Sequence, residues 1–371
     1  MKQTIFLLLL AVLAVLGCKP DRGDEAYRLE NELIDLAFKD LDRTLARLDS
    51  AEQAGLYSEA RANVIRACIY SNIDKQRIAE YYATKAIEDE NLKDDTASYC
   101  TVQLILADFS FYKEDYDKSM RLANEVLLYL NHTDNYNVKK SIALTQMARC
   151  EYQQDGIEES EKLYKQSIDI LMEETKDSKS IFEVDPLVYT IMVVIEQNLE
   201  AGDPKDAITY LSKADIALDR LIECTDDIDN TIQRRTEDLT ILRAITYAMN
   251  GDKKQAETEY RIYQKSDNRN TQSGKVNSAR YLAQMGRYDE AVRMINEADS
   301  LYMLADDPLN EEYVRECLQR KMKYLYKAGH QAEAQIVSDR INELNDSLRH
   351  AKELNDLQQM KEIQLKEREE K

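Results

Sequence analysis

The sequence has no tryptophan, only four prolines and nine glycines, and three histidines among its 371 residues. So little Gly and Pro leaves few tight turns for a β fold, and the abundance of Ala, Leu, Glu, Lys and Asp suits a chain that is helical throughout. The missing tryptophan removes the largest of the aromatic platforms on which sugars commonly stack, although tyrosine is plentiful. His132, His330 and His350 are scattered, and the six cysteines include no CxxC spacing, so no zinc-type ligand set forms and no metal or other cofactor is expected. Phosphate-binding Gly-rich loops, an HExxH pair and a nucleophile elbow are also absent. The acidic doublets Asp94-Asp95, Asp226-Asp227 and Asp306-Asp307 fall in expected loops, where adjacent carboxylates are normally solvated, rather than converging from facing elements on a catalytic pocket. An enzyme is not expected. Basic residues are outnumbered 70 to 50, giving a net charge of −20, and the two signs alternate along helices as on a solvated face. That excludes a nucleic-acid binder, which needs Lys and Arg not offset by neighbouring carboxylates.

What is present begins with an address. Lys2 precedes an apolar run from Ile5 to Leu16, too short to span a bilayer as a stable helix and right for a signal peptide over residues 1–17. The run ends Val15-Leu16-Gly17-Cys18, which resembles the bacterial lipobox. That resemblance implies cleavage before Cys18, acylation of its thiol, and residues 18–24 as a tether holding the chain in the bacterial cell envelope, exposed to the periplasm or cell surface. The remaining five cysteines are an odd number and far apart, which favours free thiols. Cys68, Cys150 and Cys317 fall in first helices of the repeats described next, where Cys behaves as a small buried hydrophobe.

Residues 25–57 read as an N-terminal helical cap with Leu41, Leu45 and Leu48 on one face and Gly55 ending its second helix. Beyond it, small or apolar anchors at Ala67, Ala107, Ala148, Ile195, Ala244, Ala279 and Met322 recur 35 to 49 residues apart. Twelve residues after each comes a second small residue: Ala79, Ser119, Ser160, Ala207, Ala256, Ala291 and Ala334. Such pairs let two helices cross closely. Gly202, Gly251, Gly286 and Gly329 stand seven after their anchors and Gly156 eight, where a helix end needs a left-handed residue. Asp203-Pro204 reads as an N-cap and first-turn pair, whereas Pro186 and Pro308 are expected in the loops before first helices. Lengthened connections are expected at 173–186, 224–231 and 304–310.

The stretch from Arg280 to Val292, helix end, Gly286 turn and helix start, matches the tetratricopeptide (TPR) unit of two antiparallel helices. The resemblance covers residues 58–346 and implies an all-α, right-handed TPR-like superhelical solenoid of about seven helix pairs, one array rather than separate domains. It also implies that the chain binds a protein or peptide in a concave groove lined by first helices. Projected from the anchors, groove positions are Phe111, Tyr112, Arg149, Tyr152, Tyr189, Arg280, Lys323 and Tyr326, of the types that most often dominate interface energetics. The Lys/Asn clamp of chaperone-binding TPR proteins is missing, since Val64 and Cys68 occupy clamp positions in the first repeat. Residues 347–371 form a charged C-terminal helix carrying Leu348, Leu354, Leu357, Met360 and Ile363. Its heptad phase slips between Leu348 and Leu354, so it reads as a long, partly projecting helix, a solubilising cap or else a dimerisation or signalling element.

More narrowly, the lipobox, the Tyr-rich long repeats and the tail Leu344-Asn345-Asp346-Ser347-Leu348 resemble the periplasmic TPR region of Bacteroidetes sensor proteins. Those continue into a membrane span and an output domain, neither of which lies within these residues, so kinase or transcription activity is not carried over. The chain is either a stand-alone relative or part of a longer form. The function expected is an envelope-anchored scaffold or sensor/adaptor. The rivals are a substrate-binding lipoprotein of a glycan importer and an outer-membrane assembly factor.

Overall fold

The computed structural model describes residues 29–369 except 31, 34–35, 38, 74, 134–135, 226–229 and 305–309. The expected signal peptide, tether and Cys18 lie outside the described residues, as do Pro308 and the doublets at 226–227 and 306–307. The fold is an all-α helical-repeat solenoid, with no strand among the described residues. Helices are numbered here α1 (Leu41–Gln53), α2 (Glu59–Asn72), α3 (Gln76–Ile87), α4 (Thr96–Tyr112), α5 (Tyr116–Tyr129), α6 (Asn137–Gln153), α7 (Ile157–Glu174) and α8 (Ile181–Ala201). Then follow α9 (Pro204–Ile222), α10 (Thr231–Met249), α11 (Lys253–Tyr263), α12 (Gln272–Gln284), α13 (Tyr288–Tyr302), α14 (Arg320–Ala328) and α15 (Gln331–Glu369).

The anchor register is the internal logic of every pair. Six of the seven anchors are fully buried, only Met322 being partly exposed, and all seven partners twelve residues on are buried. Each first helix closes the same way: the N–H eight residues after the anchor donates to the carbonyl three after it, Lys75 to Tyr70, Asp115 to Ser110, Gly156 to Glu151, Asp203 to Asn198, Asp252 to Tyr247, Arg287 to Leu282 and His330 to Leu325, all at 2.8–2.9 Å. This six-residue closure requires a left-handed residue seven after the anchor. Gly286 (φ +76°) supplies it in the sixth repeat, but Glu114 (φ 61°) and Asp155 (φ 62°) do so in the second and third. The expectation for Gly156 is therefore corrected. It is the N-cap residue of α7, at φ −82°, because the left-handed position stays in register one residue earlier, at Asp155. The next position often N-caps the second helix: Asp115, Asp203 and Asp252 accept from backbone N–H groups of the turn that follows.

Pro186 is also corrected. It lies inside α8, not in the loop before it, and the connection from α7 is only residues 175–180. The helix tolerates it in its second turn. Asp95 of the expected solvated doublet is an N-cap instead, its carboxylate accepting from Ser98 N–H at 3.2 Å and from the Ser98 hydroxyl.

The chain divides into two compact units. The first runs to Thr190 and includes Cys224, Thr225 and the helical residues from Leu357. Within it α2–α3, α4–α5 and α6–α7 pack as pairs, and the first helices α2, α4 and α6 contact one another in turn. Leu33, Ala37, Leu48, Ala51 and Tyr57 make a core with Ala62, Ile65 and Ile69 of α2. Arg61, buried, bonds Glu30 through two nitrogens, at 3.0 and 2.5 Å, and Ser98 at 2.5 Å. Around Gln359 the C-terminal helix does not project freely. Gln359 is 6% exposed, and its Oε1 accepts from the Arg77 N–H at the start of α3 at 3.0 Å. The second unit holds residues from Ile191 to Asp356 other than 224–226. There α10–α11 and α12–α13 pair, α10 packs on α12, and α13 on α14. A π-helical segment, Tyr313–Gln319, leads into α14; Tyr313 Oη donates to Asp299 at 2.6 Å, and Lys321 bonds the same carboxylate at 2.8 Å.

Cys68, Cys100, Cys150, Cys224 and Cys317 are free and buried, as expected. Burial pushes the Cys68 and Cys317 thiols up to about 12.

Candidate functional site

The residue one after each anchor is the natural reference for the inner face of the first helices. In the first unit these are Cys68, Asp108 and Arg149; in the second, Glu196, Ile245, Arg280 and Lys323. Asp108 and Arg149 meet across neighbouring first helices, α4 and α6, with Nη1–Oδ1 at 3.0 Å, and Arg149 Nη1 also donates to Gln146 Oε1 at 2.9 Å. Its guanidinium lies 4.1 Å from the Phe111 ring centre, where cation–π attraction adds to the ion pair. Tyr112 Oη stands at the edge of hydrogen-bond range, 3.5 Å from Nη2. Burial on its own would lower Arg149, but Tyr112, Asp108 and Tyr189 around it reverse that and hold it firmly charged. Burial pushes the Asp108 carboxyl up and Arg149 pulls it back. Phe111, Tyr112, Arg149 and Tyr189 thus come together as one cluster. Tyr152 is partly buried nearby in sequence, on the last turn of α6.

In the second unit the same position pairs over a longer interval. Arg280 on α12 reaches Glu196 on α8 in a two-point contact of 2.9 and 2.5 Å, passing the equivalent residue of the intervening repeat, Ile245, which is 1% exposed. Burial would lower Arg280, and Glu196 more than offsets it. Beside this pair opens a cleft of about 310 Å³. Leu199, Ile245, Met249, Ala283 and Tyr324 give it an apolar base, while Arg280, Arg320, Lys323, Lys327, Gln284, Tyr288 and Glu200 supply the polar wall. Arg320 is held by Glu316 at 2.9 Å. Lys323 and Lys327, one turn apart on α14, are exposed and have no ion-pair partner among the described residues. Partial desolvation, then the charge of Glu196 one turn away, pushes the Glu200 carboxyl up.

Of the eight expected groove residues, Arg280 and Lys323 line this cleft; Tyr326 does not and stands 65% exposed on α14. Both arginines turn out to be committed to carboxylates of the fold, Arg149 to the buried Asp108 and Arg280 to the half-buried Glu196, so their charge is held within it. Sequence reasoning missed Asp108 and Glu196, although both occupy the register position of the arginines they bind. It also missed Lys327, Arg320, Tyr288 and Tyr324. Lys327 could have been found as the residue four after Lys323; the others depend on side-chain packing that periodicity does not specify.

No family model matches the chain, and no curated protein does. Among solved structures, the apo form of RapI, a TPR-like helical-repeat protein, is similar, with a TM-score of 0.52 at 13% identity over 76% of this chain and 100% of that one. At that identity the likeness is one of fold.

Proposed function

We propose that the chain is a protein-interaction scaffold of the bacterial envelope, lipid-anchored through Cys18, that receives a protein or peptide partner on the inner faces of its first helices and acts as a sensor or adaptor. The single observation that carries the reading is the cleft of the second unit, where an apolar base, a rigid arginine wall and two unpaired lysines converge on α8, α10, α12 and α14. Lys323 and Lys327 have no ion-pair partner among the described residues and stand beside the apolar side chains of the cleft, which makes that cleft the place where charge and hydrocarbon are offered together. The lipobox supports the anchor, and the resemblance to sensor-protein repeats supports the adaptor role. No polar constellation of catalytic type accompanies the cleft among the described residues: its acid and bases are ion-paired or apart, with no nucleophile beside a base. Glycan capture is not favoured, because Tyr324 is 6% exposed and only Tyr288 offers a ring at the wall.

The test is photo-crosslinking in cells from a probe at Lys323, with an equivalent probe at Ile216 on α9, 47% exposed, as control. A discrete protein adduct from Lys323 and none from Ile216 supports the reading. Equal adducts from both, or none from Lys323, overturn it. Labelled fatty acid should be incorporated by the wild type and not by Cys18→Ser.

A further inference from the structure

We infer that the α14 cleft takes a short acidic polypeptide segment, a side-chain carboxylate set between Lys323 and Lys327 with a neighbouring apolar side chain over Leu199, Ile245 and Met249. This deepens the scaffold reading and rests on it. Four observations lead there. Lys323 and Lys327 project from one face of α14 at the spacing that places two ammonium groups side by side, and neither is neutralised among the described residues. The other two cations of the wall are taken up inside the fold, Arg280 by Glu196 at 2.5 Å and Arg320 by Glu316 at 2.9 Å, which leaves the lysines as the cations available to a ligand. The base carries the apolar side chains of Leu199, Ile245, Met249 and Ala283 beneath the cationic wall, a lining that a peptide matches by offering carboxylate and hydrocarbon together. Finally, a volume of about 310 Å³ admits a few side chains and not a folded domain.

The wider charge of the chain sharpens the choice. At −20 overall, the chain as a whole repels an acidic segment, so binding at a cleft that offers two unpaired lysines is selective by repulsion as well as by attraction. A nucleic acid would need a track of unpaired cations; two lysines on one helical turn do not make one.

A display library of random heptapeptides, selected on the full chain and counter-selected on the Lys323→Glu/Lys327→Glu variant, tests this directly. Both lysines are exposed, so the variant should melt as the wild type does by circular dichroism, and Lys323→Arg/Lys327→Arg keeps the charge as a second control. The expected result is a pool rich in Asp or Glu next to an aliphatic residue. Its members should bind at least tenfold more weakly to the glutamate variant, bind the arginine variant, and lose affinity when Glu is replaced by Gln. A lysine-dependent pool without acidic enrichment overturns this inference and leaves the scaffold reading standing. Displacement of the peptides by citrate at matching concentration also overturns it, in favour of a small polyanion. If no pool depends on the cleft, both readings fail.

Discussion

The turn at Gly286 isolates backbone strain from packing. Its φ is +76°, and a Cβ built there would meet no atom within 4 Å, so Gly286→Ala creates no clash and removes no contact. What changes is the left-handed conformation itself, costing an alanine about 1–2 kcal/mol. Against that, alanine loses less chain entropy on folding, a gain of about 0.4–1 kcal/mol. The net expectation is a loss of about 1 kcal/mol, with Gly286→Asn losing less because asparagine tolerates this region. The second and third repeats run the experiment in reverse. Glu114 and Asp155 already occupy the same position at φ 61° and 62°, and both side chains are exposed. Replacing Glu114 by Gly relieves the strain and returns about 0.5–1 kcal/mol of entropy cost, so it should stabilise by a few tenths to about 1 kcal/mol. Asp155→Gly should gain less, since Asp is the better tolerated. Urea melts followed by circular dichroism report the midpoints, with the slope m checked because stacked repeats need not unfold in one step. Opposite signs at equivalent positions are the signature. A Gly286→Ala midpoint at or above wild type, or a lowered midpoint for Glu114→Gly, refutes the reasoning.

Other perturbations follow from the ion pairs and the crossings. Arg149→Met strands the buried Asp108 carboxylate and should cost about 3–5 kcal/mol, much of it recovered in Arg149→Met/Asp108→Leu, as a double-mutant cycle in urea would measure. Burial alone would raise the Asp299 carboxyl, but hydrogen bonds from Lys321 and Tyr313 outweigh it and hold the group below the usual range. A depressed folded value gives stability that is present above the unfolded pKa and lost as pH falls through the folded one. Asp299→Asn should therefore destabilise by about 1–3 kcal/mol near neutral pH, and the gap from wild type should close as pH drops below about 3.9 in a series of thermal melts. Ala291→Leu places a branched side chain where Ala279 and Ala291 are both fully buried, and should cost about 1–3 kcal/mol in the same melts. Iodoacetamide should leave the five buried thiols unmodified in the folded protein and alkylate all of them in denaturant, read by intact mass.

Much of this architecture was legible in the sequence because helix crossings and helix ends are local. A small residue at Ala279 and another at Ala291 specify where two helices can touch, and Gly286 specifies how the chain turns between them. Gly156 misled because a glycine advertises left-handed backbone, while the register assigned that conformation to Asp155, which carries a Cβ and adopts it anyway. Pro186 misled because its side chain breaks helices in general, and only the start at Ile181 shows that the helix tolerates it in its second turn. The groove was legible as a set of positions and not as a set of roles. That Arg149 and Arg280 answer internal carboxylates, leaving Lys323 and Lys327 unpaired, depends on which long side chain reaches which neighbour.

The bond from Arg280 to Glu196 passes a whole helix pair, that of Ala244 and Ala256. Proteins of stacked units usually lengthen or shorten by recombination, because each unit recognises only the ones beside it. Here a duplication or excision between residues 204 and 271 would part the largely buried Arg280 from its half-buried carboxylate partner, so a change in module number in this part of the chain carries an electrostatic cost that neighbour-only contacts would not impose.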